Sequence, residues 1–140
     1  RRVALEPGEV LASVVIPRHK PRGSIRRVAR FFKVARRSHV DISTVSAAFC
    51  LHLDGDGRIV EARCAYGGVA PIPRRAYQGE SALKGQRWEE AAVEQAIPAL
   101  LAEFQPISDL RAPAGYRQAL IANLLRKLYW EEADEARVGT

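Results

Sequence analysis

Nine lysines and arginines and no acid fall between residues 18 and 37, and Asp41 is the first acid after them. The remaining 120 residues hold 13 basic and 16 acidic side chains, so the net charge of +6 belongs to this one segment. Such a run can attract anions, and an arginine such as Arg37 can hold a phosphate through two parallel hydrogen bonds. Phe31 and Phe32 could stack on bases, although packing into a core is the commoner fate of a strand phenylalanine. Arg36 reads as solvated, and no recognised nucleic-acid-binding motif is present, so nucleic acid is not the expected partner. The three histidines (His19, His39, His52) and two cysteines (Cys50, Cys64) are too scattered for metal-ligand spacing or a disulfide framework. No GxGxxG, Walker A, GxSxG or HExxH pattern occurs. Gly55, Gly57, Gly67 and Gly68 read as turn and strand-end glycines, and Glu89, Glu90 and Glu94 as a solvated helix face. The residues alone support a soluble domain with one basic edge.

The elements that must hold this segment are legible in outline. A chain of 140 residues, 47% hydrophobic and 27% charged, suits a single domain spanning residues 1–140. No apolar run approaches the ~20 residues of a membrane span. The N-terminus lacks an initiator Met and an apolar leader, so we expect a piece cut at a domain edge, and the unpaired cysteines favour the cytoplasm. Residues 10–16 are rich in β-branched residues and predict a strand opened by Pro7-Gly8. Residues 17–24 predict a loop and residues 28–35 a second strand. Val45, Ala47, Phe49 and Leu51 alternate with smaller or polar residues, turn chemistry follows at residues 54–57, and Val60, Ala62, Cys64 and Tyr66 resume the alternation. Folding about that turn predicts Leu51 opposite Val60, Phe49 opposite Ala62, Ala47 opposite Cys64 and Val45 opposite Tyr66. Cys50 then sits beside Glu61, on the other face from Cys64. Helices are predicted over residues 75–83 and 88–104, with a kink or new start at Pro98 because an interior proline costs ~3 kcal/mol. A last helix carries an apolar stripe of Tyr116, Leu120, Ile121, Leu124, Leu125 and Leu128, approached through a cap at Ser108 or Asp109. Residues 131–140 read as a polar, frayed tail. Strands first and helices last argue α+β: an antiparallel sheet of about four strands packed with about three helices.

The run from Phe32 to Val45, with Lys33 followed eight residues on by Asp41-Ile42, resembles a segment of the molybdenum hydroxylases of the xanthine dehydrogenase and CO dehydrogenase family. Pro7-Gly-Glu-Val-Leu11, Ala65-Tyr-Gly-Gly-Val-Ala70, Pro106-Ile-Ser-Asp-Leu-Arg111 and Tyr116-Arg117 match the same family in the same order. The match is to the C-terminal domain of the flavin subunit and is closer to the bacterial xanthine dehydrogenase form. The resemblance implies an α+β sandwich that covers FAD and helps form an NAD pocket, in an enzyme whose purine oxidation occurs at a molybdenum centre fed through iron–sulfur clusters. Those centres, and the N-terminal flavin-binding region, would lie elsewhere, so the molybdenum subunit and that region are the expected partners. The chain alone would be inactive and hold no cofactor tightly. By position, the resemblance puts Lys33 toward the flavin, Arg37, Asp41 and Ile42 near the same rim, and Leu11 or Ala12 against the flavin ring; Asp41 also reads as a turn residue. The rival readings are a subunit-docking domain without catalytic duty and a basic-edge nucleic-acid module.

Overall fold

A computed structural model describes residues 4–16, 21–37 and 41–138. Alternation of apolar and polar residues builds three long strands, β1 (Arg26–Val34), β2 (Val45–Leu53) and β3 (Ile59–Gly67), and a two-residue strand, β4 (Arg74–Arg75). They form one antiparallel sheet in the order β1-β2-β3-β4. Three helices follow, α1 (Tyr77–Leu83), α2 (Glu90–Ala102) and α3 (Ala114–Val138). None is long and apolar enough to cross a membrane.

The helices pack on one sheet face. Val45, Ala47, Phe49, Leu51 and Leu53 of β2 are all buried there, as a period-two strand with one covered face requires. Phe49, Tyr66 and Phe104 form a continuous aromatic contact, with ring centroids 5.6 and 5.4 Å apart, and the Tyr66 hydroxyl donates to the Ile121 carbonyl at 3.2 Å. Burying each such side chain contributes roughly 1.5–3 kcal/mol, so this line ties sheet to helices.

The expected hairpin forms, but its register is shifted by two: Phe49 lies opposite Cys64, Ala47 opposite Tyr66 and Leu51 opposite Ala62. Cys50 therefore faces Arg63, and His52 faces Glu61. The turn is longer than residues 54–57. Asp54 Oδ1 accepts from the amides of Asp56 and Arg58, Gly57 is left-handed at φ 73°, and Asp54 N–H reaches the Arg58 carbonyl. A bulge between His52 and Leu53 follows. It buries Ile59 completely and moves Val60 off the core face. The shift is even, so the expected separation of faces survives.

Two other expectations fail, at residues 10–16 and in the C-terminal tail, and the expectation at Pro98 of a kink or a new start is narrowed. Residues 10–16 join no strand; Val10, Leu11, Val14, Val15 and Ile16 are 71–85% exposed. Strand propensity needs a ladder partner, and the fourth strand is β4 instead. Helix α2 runs through Pro98 without a new start. Pro98, which has no N–H to offer the Glu94 carbonyl, is on the exposed side of α2 while Ile97 and Leu100 are buried beside it. The stretch read as a frayed tail continues α3 to Val138. Glu132, 7% exposed, pairs there with Arg26 at 2.6 Å and Arg30 at 3.0 Å. On the same helix Ile121, Leu124, Leu125 and Leu128 are buried and Leu120 is partly buried, as the predicted stripe requires; only Tyr116, half exposed, departs from it, and Arg117 is buried beside it. Of the expected loop, residues 17–20 lie outside the described residues, as do residues 38–40 of the family-like run and 139–140 of the tail.

Candidate functional site

A cleft of about 560 Å³ opens where the start of β2, the end of β3 and the loop before α3 converge. Ile42, Ser46, Gly67, Ile72, Ile107 and Arg111 line it. Its rim is apolar and open: Ile42, Ile72 and Ile107 are 63–73% exposed and neighbouring Leu110 is 98% exposed.

One buried arginine holds these walls together. Arg117, the fourth residue of α3, is 4% exposed. Its Nη1 donates to the carbonyls of Thr44 at 2.6 Å and Gly68 at 2.7 Å, and its Nη2 to Asp109 Oδ1 at 2.7 Å. The same Asp109 oxygen accepts the amides of Arg111 and Ala112. The Ala112 amide, then the Arg117 guanidinium, hold the Asp109 carboxyl below the ordinary carboxylate range. Ser108 Oγ accepts the Ala114 amide at 2.9 Å and so closes the N-terminus of α3. Both predicted caps are in use, Ser108 on the helix and Asp109 on the loop before it.

Gly68 is the backbone half of this clasp. It adopts φ 78°, and a Cβ there would stand 2.3 Å from the Thr44 carbonyl oxygen and 3.3 Å from Arg117 Nη1. Gly68→Ala therefore combines a left-handed penalty with a backbone collision. It is expected to cost at least ~2 kcal/mol, read as a lowered denaturation midpoint. Gly85→Ala is the comparison, because Gly85 is also left-handed (φ 82°) but has nothing within 4 Å of its Cβ position. Equal losses at the two positions would remove the collision from the account.

The family-like residues gather at two places. Lys33 and Arg37 line a shallow groove of about 290 Å³ with Val34, Ala35 and Arg36. Lys33 pairs across the ladder with Ser46, which lines the large cleft, so the two depressions adjoin. Ile42 is on the large cleft itself. Asp41 is engaged locally: its carboxylate accepts the amides of Ile42 at 2.8 Å and Arg37 at 3.1 Å, with Arg37 Nε at 3.7 Å. The Ile42 amide is the main cause that lowers the Asp41 carboxyl from its usual range, and Arg37 adds to it. Arg36, expected to be solvated, is exposed but donates to the Leu110 carbonyl at 3.4 Å. Leu11 and Ala12 are exposed and line neither depression.

Reading the sequence missed Arg117 as the organiser. Its only signal was its place beside Tyr116 in the family-like pattern. Among the described residues no cluster of three His, Cys, Asp or Glu could hold a metal ion.

Comparison with known proteins agrees with this architecture. The family of the CO dehydrogenase flavoprotein C-terminal domain matches residues 30–132. The chain is 37% identical over 134 residues to a xanthine dehydrogenase of Blastobotrys adeninivorans, covering 92% of this chain and 9% of that protein. It is 30% identical over 130 residues to the xanthine dehydrogenase FAD-binding subunit of Escherichia coli O157:H7, covering 93% of this chain and 43% of that subunit. Carbon monoxide dehydrogenase of Oligotropha carboxidovorans superposes with a TM-score of 0.67 at 30% identity, over 77% of this chain and 36% of that one. Quinoline 2-oxidoreductase of Pseudomonas putida 86 gives a TM-score of 0.67 at 26% identity, over 79% and 38%. The chain thus spans less than half the length of these relatives. With the match over residues 30–132 and the superposition over 77% of its length, the chain belongs to the CO dehydrogenase flavoprotein C-terminal domain family.

Proposed function

We propose that this chain is a single domain that walls the flavin compartment of a xanthine dehydrogenase-like molybdenum hydroxylase and forms one side of its NAD site. The observation that carries the reading is the junction of a cationic groove at Lys33 with an open apolar cleft at Ile42. A flavin edge offers both an apolar ring and, when reduced, negative charge. Lys33 supplies the cation, Ile42 and the Leu11-Ala12 segment supply apolar contact, and Arg37 beside Asp41 suits an anionic group of the nucleotide. FAD would pass electrons to NAD, while the molybdenum cofactor and iron–sulfur clusters belong to other parts of the enzyme. The exposed apolar residues 10–16 and the Ile72, Ile107 and Leu110 rim are the surface proposed to meet the flavin-binding region. A cytoplasmic enzyme of purine oxidation is the setting we assign.

The nucleic-acid reading is weaker. Arg26 and Arg30 are paired with Glu132, and Phe32 packs toward Phe49 with centroids 6.1 Å apart. The test is an NAD titration of the intact enzyme followed through flavin absorbance. Arg37→Ala and Ile42→Ala are each expected to weaken NAD binding by about tenfold, in keeping with ~1.4 kcal/mol per contact. Unchanged affinity in both would sink the NAD wall.

A further inference from the structure

On the sheet face turned away from the helices, three side chains form a relay that the flavin reading does not use. Cys50 and His52 of β2 are two residues apart and share that face. Cys50 Sγ lies 3.6 Å from His52 Nε2, and His52 Nδ1 lies 3.1 Å from Ser24 Oγ. His52 and Ser24 are 5% and 7% exposed, whereas Cys50 is only half-buried. Local backbone chemistry places the serine. Ser24 N–H bonds the Pro21 carbonyl at 3.2 Å, and Gly23 takes φ 79°, which is a tight turn with glycine at its left-handed position. The turn sets Ser24 against the imidazole just before β1 begins.

Two arginines stand on the strands that flank these residues, on the side from which a visitor would approach. Across the ladders Cys50 faces Ala29 on β1 and Arg63 on β3, and His52 faces Arg27 and Glu61. Arg63 is paired with Glu61 and half exposed, Arg27 is exposed, and Ala29 is too small to cover the thiol. A nucleophilic thiol needs a base within reach, a group that orients the base, and access. Here His52 stands where the base would, Ser24 Oγ orients it in the tautomer that carries the proton on Nδ1, and Cys50 itself is only half-buried.

We propose that Cys50 is a modification site, a His52-activated thiol that exchanges with small anionic disulfides of the glutathione disulfide class. His52 Nε2 takes the Cys50 proton, and the sulfur attacks one sulfur of the disulfide. A bond forms between Cys50 Sγ and that sulfur as the original S–S bond breaks. The departing sulfur keeps the electron pair of the broken bond, takes the proton and leaves as the reduced thiol; Cys50 Sγ rises from thiol to disulfide level as that one sulfur falls from disulfide to thiol level. The inference does not depend on the flavin reading. Cys64 is the internal contrast: it is 2% exposed on the opposite face, and burial pushes its thiol well up.

The test treats the intact protein that carries this chain with glutathione disulfide and maps adducts by peptide mass over time. Cleavage after Arg37 and Arg58 isolates Cys50 from Cys64. The expected result is a reductant-reversible glutathionyl adduct on Cys50, formed at least about tenfold faster in the folded protein than in urea, with Cys64 unmodified until unfolding. His52→Asn is expected to slow the folded-state reaction by about tenfold, and Ser24→Ala by a smaller factor. Should His52→Asn fail to fold, Ser24→Ala and the folded-to-unfolded ratio decide. Absence of an adduct on Cys50, faster reaction in urea than in the folded protein, or wild-type rates in the folded variants would overturn the proposal.

Discussion

Replacing Arg117 with methionine is expected to cost about 3–5 kcal/mol of folding stability, the scale for removing one partner of a buried charged cluster. Methionine keeps much of the stem and its packing, so the loss isolates the guanidinium. Its removal leaves the Thr44 and Gly68 carbonyls without their Arg117 donors and Asp109 without its shortest ionic contact. Those three acceptors sit on the β1–β2 connection, the end of β3 and the loop before α3, so the cleft should loosen along with the core. Arg111 is the control, because it meets the same carboxylate at 3.8 Å but is 46% exposed. Arg111→Met should change stability by less than ~1 kcal/mol. Acid should act in the same direction as R117M. The Asp109 carboxyl is depressed in the folded chain, so its contribution is complete above the ordinary carboxylate range near ~4. It is lost as pH falls through the depressed value. Urea denaturation at neutral and acidic pH measures both effects. A loss below ~1 kcal/mol for R117M would mean that the walls are held by packing alone.

The contrast between Arg117 and Phe49 shows what the sequence could disclose. Phe49 announced itself through period-two alternation, because a strand with one covered face must repeat that way. An arginine in a helix reads as solvated. It becomes structural only when a left-handed glycine 49 residues away brings a carbonyl within reach. Glu132 poses the same difficulty, since its partner Arg26 lies 106 residues away. Hairpin register was legible in parity but not in value: parity follows from the hydrophobic pattern, while the offset depends on how Asp54 and Gly57 close the turn. Residues 10–16 failed differently. Their composition is that of a strand, but a strand is defined by its partner, and this sheet supplies none to them.

The groove residues add a functional consequence to that fold. Lys33 is exposed on β1, opposite Ser46 and next to the apolar cleft, and among the described residues no ion pair engages it. The strand fixes the backbone of Lys33 beside the cleft, and a cation brought to that place is worth most where charge develops during a reaction. Negative charge appears on a flavin when it is reduced and disappears when its electrons leave. On the proposed reading, Lys33→Ala in the intact enzyme should slow NAD reduction by about ten- to a hundredfold. Heterocycle hydroxylation, followed with a dye that takes electrons before the flavin, should change by less than about twofold, because that chemistry lies in another part of the enzyme. Lys33→Arg, which restores the charge at nearly the same reach, should recover most of the lost rate. A purely structural role would predict something else: lower stability, no rescue by arginine, and equal losses in both assays. Equal losses with unchanged stability would still place Lys33 outside the flavin's electron transfer, since a side chain acting at the flavin cannot slow a reaction that bypasses it.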